Sequence, residues 1–223
     1  MHTTKFTMMV VVTGMALCLG MSTNQIHAEM YIGGQAGASF PKDLSDVRGT
    51  NNFSGTRLSD LNLKDSLAAG LKVGGYFPES LNWLGLEGEA YYTNPEIKKQ
   101  AVTGNVSILG NSGGQFIIPK TDLHIITFAF NALVRYPGEI LQPYGGVGIG
   151  LNVAYLRSGN VESDAGFAPT LNLMGGMRAF VNEQIALFAE YKYNRGTFEF
   201  YANNFKADYR THLVVGGLTY HFK

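Results

Sequence analysis

Residues 185–194, IALFAEYKYN, place Ile185, Leu187, Ala189, Tyr191 and Tyr193 on one side of an extended chain and Glu190, Lys192 and Asn194 on the other. Successive side chains of a strand point to opposite faces, so this rhythm predicts a strand with one apolar and one charged face. A helix would need apolar residues three and four apart over a longer window, which the stretch does not supply. A strand that is greasy on one side and ionic on the other separates two media.

Seven further stretches repeat the pattern. Met30, Ile32, Gly34, Ala36 and Ala38 oppose Tyr31, Gly33, Gln35 and Ser39, and in residues 67–76 Leu67, Ala69, Leu71 and Val73 oppose Lys72 and Tyr76. Leu84, Leu86, Ala90 and Tyr92 oppose Glu87, Glu89 and Tyr91, while in residues 123–136 Ile126, Phe128, Phe130, Ala132 and Val134 oppose Thr127, Asn131 and Arg135. Residues 144–155 set Val147, Ile149, Leu151, Val153 and Tyr155 against Gly146, Gly148, Gly150 and Asn152; Leu171, Leu173, Met177 and Ala179 then oppose Thr170, Asn172 and Arg178. Val214, Leu218, Tyr220 and Phe222 close the series opposite Thr211, Gly217, Thr219 and His221, with Leu213 and Val215 blurring the inward face.

A soluble sandwich also alternates, so the connections decide. Residues 77–83, 137–142 and 181–184 are brief turns, whereas 40–66, 94–122, 156–167 and 195–208 are long and polar. Eight strands with both ends on the short-turn side fit a barrel crossing an outer membrane, and closure removes the edges that lipid cannot hydrate. Tyr76, Phe77, Trp83, Tyr136, Tyr144 and Phe180 fall at the short-turn end and Tyr92, Tyr155 and Tyr193 at the other, as two interfacial girdles. The predicted fold is all-β: an eight-stranded antiparallel up-and-down transmembrane β-barrel.

Composition agrees. The chain has 223 residues, enough for one domain, with 28 Gly, 12 Tyr and 14 Phe against 15% charged residues, well below the roughly 25% of soluble domains. Residues 1–28 read as an export signal, with Lys5 as the positive flank, Met8 to Met21 as the apolar stretch and Ala28 at the cleavage point. That stretch is shorter than the about 20 residues a spanning helix needs, leaving residues 29–223 as the barrel domain. The single cysteine, Cys18, lies within the signal; Met15-Ala16-Leu17 lacks the small residue expected before a lipidated cysteine. Disulfide and Cys-metal chemistry are thereby excluded from the mature chain, and no cofactor is expected. Removing Lys5 leaves 16 basic against 17 acidic residues, a balance that suggests no nucleic-acid partner.

Three segments carry a family resemblance: MYIGGQAG at Met30 to Gly37, LFAEYKYNRG at Leu187 to Gly196, and GLTYHF at Gly217 to Phe222. Residues 29–222 resemble the small outer-membrane barrels of the OmpA-like transmembrane domain and opacity-protein superfamily. The resemblance implies integral residence in a bacterial outer membrane, with outer-membrane lipids and lipopolysaccharide as surroundings; with the sequence ending on its last strand, no periplasmic domain is expected to follow. It also implies that Gly217, Tyr220 and Phe222 form a signal read by the β-barrel assembly machinery. The segment departs from the usual pattern in carrying Lys223 after Phe222, and Val215 where a polar residue is common.

Several motifs invite chemistry. GGVGIG, residues 145–150, has glycine spacing found in phosphate cradles, but an alternating strand runs through it where a cradle needs a turn and a helix. Inward glycines instead make room in a narrow lumen. Glu87 and Glu89 suggest acid-base work, yet Lys72, Arg135, Arg178, Glu190 and Lys192 point into the same interior, and buried charges persist when paired. A closed internal ion-pair network of these seven residues is the expectation. His124 and His212 lack a same-face serine on their own strands and His221 sits at the short-turn end, which argues against a lipid A-modifying enzyme. Eight strands enclose little more than their own side chains, which argues against a wide channel and leaves a narrow pore as the alternative. Phe198, Phe200, Tyr201 and Phe205 in the last long connection are candidate contacts for an external or host ligand, and Lys98 and Lys99 for lipopolysaccharide phosphates. The sequence thus points to a non-catalytic barrel that presents long outer loops in a structural or surface-interaction role.

Overall fold

The computed structural model describes residues 28–49, 57–106, 112–118, 120–158, 161–200 and 205–222. The expected signal with Cys18, apart from Ala28, together with Tyr201 and Lys223, lies outside the described residues. Eight strands close the barrel: β1 (Glu29–Pro41), β4 (Ser66–Tyr76), β5 (Leu84–Thr93), β9 (Thr121–Arg135), β10 (Leu141–Ser158), β11 (Val161–Phe180), β12 (Ile185–Phe200) and β13 (Phe205–Phe222). Each pairs antiparallel with its successor, and β13 pairs back onto β1 from Met30↔Phe222 to Pro41↔Thr211. Following partners once around carries Phe40 through His212, Tyr193, Leu173, Val147, Ala132, Leu86 and Gly75 to Met30, a stagger of ten residues. A stagger of that size tilts strands by about 40°.

The alternation emerges as the sequence predicts. Leu67, Leu71 and Ile149 are 76%, 64% and 71% exposed on the outer wall, while Lys72, Glu87 and Glu190 on the opposite parity are buried. Outward Phe77, Trp83, Tyr136, Tyr220 and Phe222 ring the short-turn end; Phe40, Tyr92, Tyr155, Tyr191 and Tyr193 ring the other. Met30 and Phe40 on β1 mark the two levels, and ten residues at this tilt rise about 25 Å, the height of a lipid-facing band. The short connections are those expected, the first containing a 3-10 turn at Glu79–Leu81.

The long connections differ from expectation. Residues 156–167 and 195–208 are mostly strand, because β10 runs to Ser158 and β11 starts at Val161, and β12 and β13 continue to Phe200 and from Phe205. Alternation resumes there with inward Ala154, Ala168, Phe198 and Ala207, which supplies a packed face to extend. The first two connections carry their own strands: β2 (Ser45–Gly49), β3 (Arg57–Leu58), β6 (Glu96–Ile97), β7 (Gln100–Val106) and β8 (Ser112–Ile118). The outer end of β13 pairs with β2, which leads through β3 and β7 to β8, while β6 pairs with β9. The two connections therefore rebuild the wall above β1, β4 and β5, which end at membrane level.

Candidate functional site

The lumen is built in layers from residues of one parity. At its centre Glu190 on β12 receives Lys72 Nζ at 3.0 Å, Lys192 Nζ at 2.9 Å and the Tyr144 hydroxyl at 2.7 Å. Lys72 continues to Glu87 at 3.2 Å, and Lys192 to Glu89. The outcome is an alternating chain, Glu87, Lys72, Glu190, Lys192, Glu89, that runs from β5 through β4 across to β12 and back to β5. Neutral donors fill remaining lone pairs: the Tyr31 hydroxyl donates to Glu87 at 2.6 Å, and Gln35 Nε2 and Asn131 Nδ2 each donate to Glu89 at 3.2 Å. Such saturation is what allows charges to stay ionised out of water.

Two of the seven expected members stand apart. Arg135 forms a second cluster at the short-turn end, where it donates to Glu29 at 2.6 Å, to Gln142 at 3.0 Å and to the Asn82 carbonyl at 2.9 Å. Arg178 has no carboxylate partner among the described residues; its guanidinium lies 4.4 Å from the Tyr31 ring centre, 5.4 Å from Tyr144 and 5.6 Å from Tyr76. The single network is thus corrected to one five-membered chain, one arginine–glutamate cluster and one arginine held by aromatic faces. Cation–π attraction holds the last of these, and two of its three rings, Tyr31 and Tyr144, carry the hydroxyls that donate to Glu87 and Glu190.

Glu29 was not singled out from sequence, although its parity marks it as inward like His221. Glu29 lies 2.8 Å from His221 Nδ1, and His221 Nε2 lies 3.1 Å from the Thr219 hydroxyl. Hydroxyl, imidazole and carboxylate are in the order of a hydrolytic relay. Yet Thr219 and His221 are buried, with Phe180 4.8 Å and Tyr31 5.2 Å from the imidazole, so a substrate has no approach. Toward the cell exterior Thr127, Asn152, Asn194 and Asn172 form a ladder of hydrogen bonds at 2.8, 3.0 and 2.6 Å. In GGVGIG a β-carbon at Gly148 would collide with Asn131, so that glycine makes room for a lumen side chain as expected. A recess lined by Gln35, Ala68, Tyr91, Lys192, Leu213 and Val215 leaves no space for a water molecule.

Above this polar column the interior turns apolar. Leu44, Val47, Leu61 and Leu63 from the first connection and Ile97 from the second pack on Leu123, Ile125, Ala154, Ala168, Phe198, Ala207 and Tyr209. Bridges Leu44↔Leu61 and Leu63↔Ile97 hold the two connections over the mouth. Phe198, expected as an external contact, is completely buried here, with its ring 5.4 Å from Tyr209. Its parity is inward and the wall it sits on faces water, so the lumen is where an aromatic side chain is sheltered. Phe200 and Phe205 pair as backbone partners at the outer tip of the last hairpin. Tyr220 and Phe222 face outward at the short-turn end with rings 5.2 Å apart, and Gly217 lies against the Phe188 ring. Lys98 and Lys99 are exposed on the second connection.

A sequence profile of the outer membrane protein beta-barrel domain matches residues 9–222. The chain belongs to the outer-membrane β-barrel family. Its residence is accordingly the bacterial outer membrane. Among solved structures, this barrel is similar to Neisserial surface protein A, with 16% identity, 86% of this chain and 97% of that chain covered, and a TM-score of 0.55. It is also similar to Ail, the attachment invasion locus protein of Yersinia pestis, in complex with the heparin analogue sucrose octasulfate: 16% identity, 87% and 99% coverage, TM-score 0.50. At these identities the likeness is one of fold. No curated protein matches the chain.

Proposed function

We propose that this outer-membrane barrel is a non-catalytic surface-interaction protein whose contacts are made by the strand-built rim outside the membrane. The observation that carries the reading is the double seal of the lumen, ionic at membrane level and apolar at the outer mouth. A barrel so filled offers a solute no path, and the Thr219 hydroxyl and the His221 imidazole are buried. What remains available to the exterior is the wall itself, extended by β2, β3, β7 and β8 and by the two long hairpins. Binding on loops fixed by a rigid scaffold is the usual arrangement, here with the loops stiffened into sheet. Cleavage after Ala28 and reading of Gly217, Tyr220 and Phe222 by the assembly machinery belong to the same proposal. The test is attachment of bacteria expressing the chain to host cells, beside bacteria expressing a variant in which residues 94–121 are replaced by a short turn. Attachment that falls to the vector level in the variant, at equal surface amounts, supports the reading; attachment by neither strain, or equally by both, counts against it.

A further inference from the structure

The outer end of the β12–β13 hairpin is well joined within itself. Backbone partners run without a break to Phe200↔Phe205, the Thr197 hydroxyl donates to Asp208 at 2.8 Å, and Glu199 pairs with Lys206 at 2.5 Å. Its two seams with the rest of the wall are broken, and at the same row. On the β11 side the ladder passes from Phe167↔Glu199 directly to Thr170↔Gly196. The cause is Pro169, which has no amide to give the Thr197 carbonyl opposite it. On the β2 side the partners are Lys206↔Arg48 and then Asp208↔Ser45, so that Asp46 and Val47 together face Ala207. This is a bulge, and Asp46 sits in it at φ 53°, a left-handed conformation that costs a residue with a β-carbon. The same seam sets two outward cations, Lys206 and Arg48, directly across from each other, where like charges repel. Each is engaged away from the seam, Lys206 by Glu199 within the hairpin and Arg48 by Asp46 within β2.

The row between the two broken seams is Phe198↔Ala207, whose side chains are completely buried in the apolar cap. We infer that residues 197–200 and 205–208 form a shutter over this cap, which swings outward as one piece and carries Phe198 out of the mouth. The hinge is the next row inward, Gly196↔Tyr209, where β12 has no side chain to resist bending. Packing of Phe198 on Tyr209, with ring centres 5.4 Å apart, holds the shutter closed. Opening presents an aromatic side chain to the exterior, while the ionic chain from Glu87 to Glu89 lower in the lumen stays shut. The inference rests on the register of the wall and is independent of the proposed attachment role.

Hydrogen exchange of the full refolded chain in lipid bilayers tests it, because a swinging hairpin leaves an alternating signature. The Lys42 amide bonds the Arg210 carbonyl at 2.8 Å and so turns Arg210 away from β12. Counting by twos along the pair from Arg195↔Arg210, the Thr197 and Glu199 amides point to β11 and those of Phe198 and Phe200 to β13. Thr197 and Glu199 are therefore expected to exchange at least about tenfold faster than Phe198 and Phe200, and faster than Val153 and Tyr155 of β10, which are paired on both sides. Pro169→Val, which restores the missing donor, is expected to slow Thr197 and Glu199 about tenfold, the net worth of one hydrogen bond. Heat-shifted gel migration confirms closure of the variant. If it does not close, Arg48→Gln, which removes the repulsion across from Lys206, is expected to slow the same two amides. Equal rates at the four hairpin amides, or rates at Thr197 and Glu199 no faster than in β10, overturn the shutter. Unchanged rates in a closed variant overturn it as well.

Discussion

Between the girdles the inward residues of β12 are Glu190 and Lys192 and the outward ones Leu187 and Ala189; farther along the same strand the inward residue is Phe198 and its outward neighbours are Thr197 and Glu199. The parity never changes, but the polarity of the two faces exchanges between Tyr193 and Arg195. Below that point the outer solvent is hydrocarbon, and polar groups gather inside where they satisfy one another. Above it the outer solvent is water, and the wall behaves as a soluble sheet with an apolar interior. One strand thus records both media, and the exchange marks the membrane boundary.

The largest expected disturbance of this contrast is Glu190→Ala. It strips two buried ammoniums of a shared carboxylate and should cost about 3–5 kcal/mol in urea unfolding from lipid bilayers; a cost below about 1 kcal/mol would mean that water already solvates the chain of charges. Next is Leu71→Arg on the outer wall midway between the girdles, with an expected cost of about 2–4 kcal/mol. Thr197→Arg, outward but beyond the exchange point, should stay within about 0.5 kcal/mol. Equal costs at the two positions would erase the boundary. Phe198→Leu should cost about 1 kcal/mol and speed amide exchange in residues 44–49 and 57–63 while leaving the ladder of Asn152, Asn172 and Asn194 protected. Acceleration at both levels would show that the two interiors are one cooperative unit.

The smallest effect concerns pH. Glu96 on the second connection is held by Lys120 at 2.7 Å and by Lys64, and these hydrogen bonds keep its carboxyl below the usual range. A depressed pKa in the folded state means that the clamp is complete above the unfolded value and is lost only as pH falls through the lower folded value. Protease nicking between residues 94 and 121 should therefore be unchanged through the ordinary carboxylate range near about pH 4.3 and rise only in stronger acid. Glu96→Gln should show the elevated rate at all pH values.

The barrel was legible because each membrane-level strand carries several consecutive alternations. The turns at 77–83 and 181–184 supplied the order of strands. Most of the lumen set was legible by parity, and Glu29 and His221 are inward by the same reasoning, each at the end of a terminal strand. The partition of Arg135 and Arg178 away from the central charges was not legible, because it depends on which strands face each other across the lumen, a consequence of the ten-residue stagger. Arg195 to Asp208 reads as a loop when polarity is taken as the sign of a connection. Its alternation had persisted with the faces exchanged, a signal open to anyone who lets the outer solvent change partway along a strand. Lys206 opposite Arg48 became visible only with register, since neither residue is unusual alone.

Planar-bilayer recording on the refolded chain tests the sealed interior most directly. The ion-pair chain from Glu87 to Glu89 and the apolar cap around Phe198 predict no sustained open level in wild type. Stable, ohmic single-channel steps from the unaltered protein would contradict a filled and capped lumen.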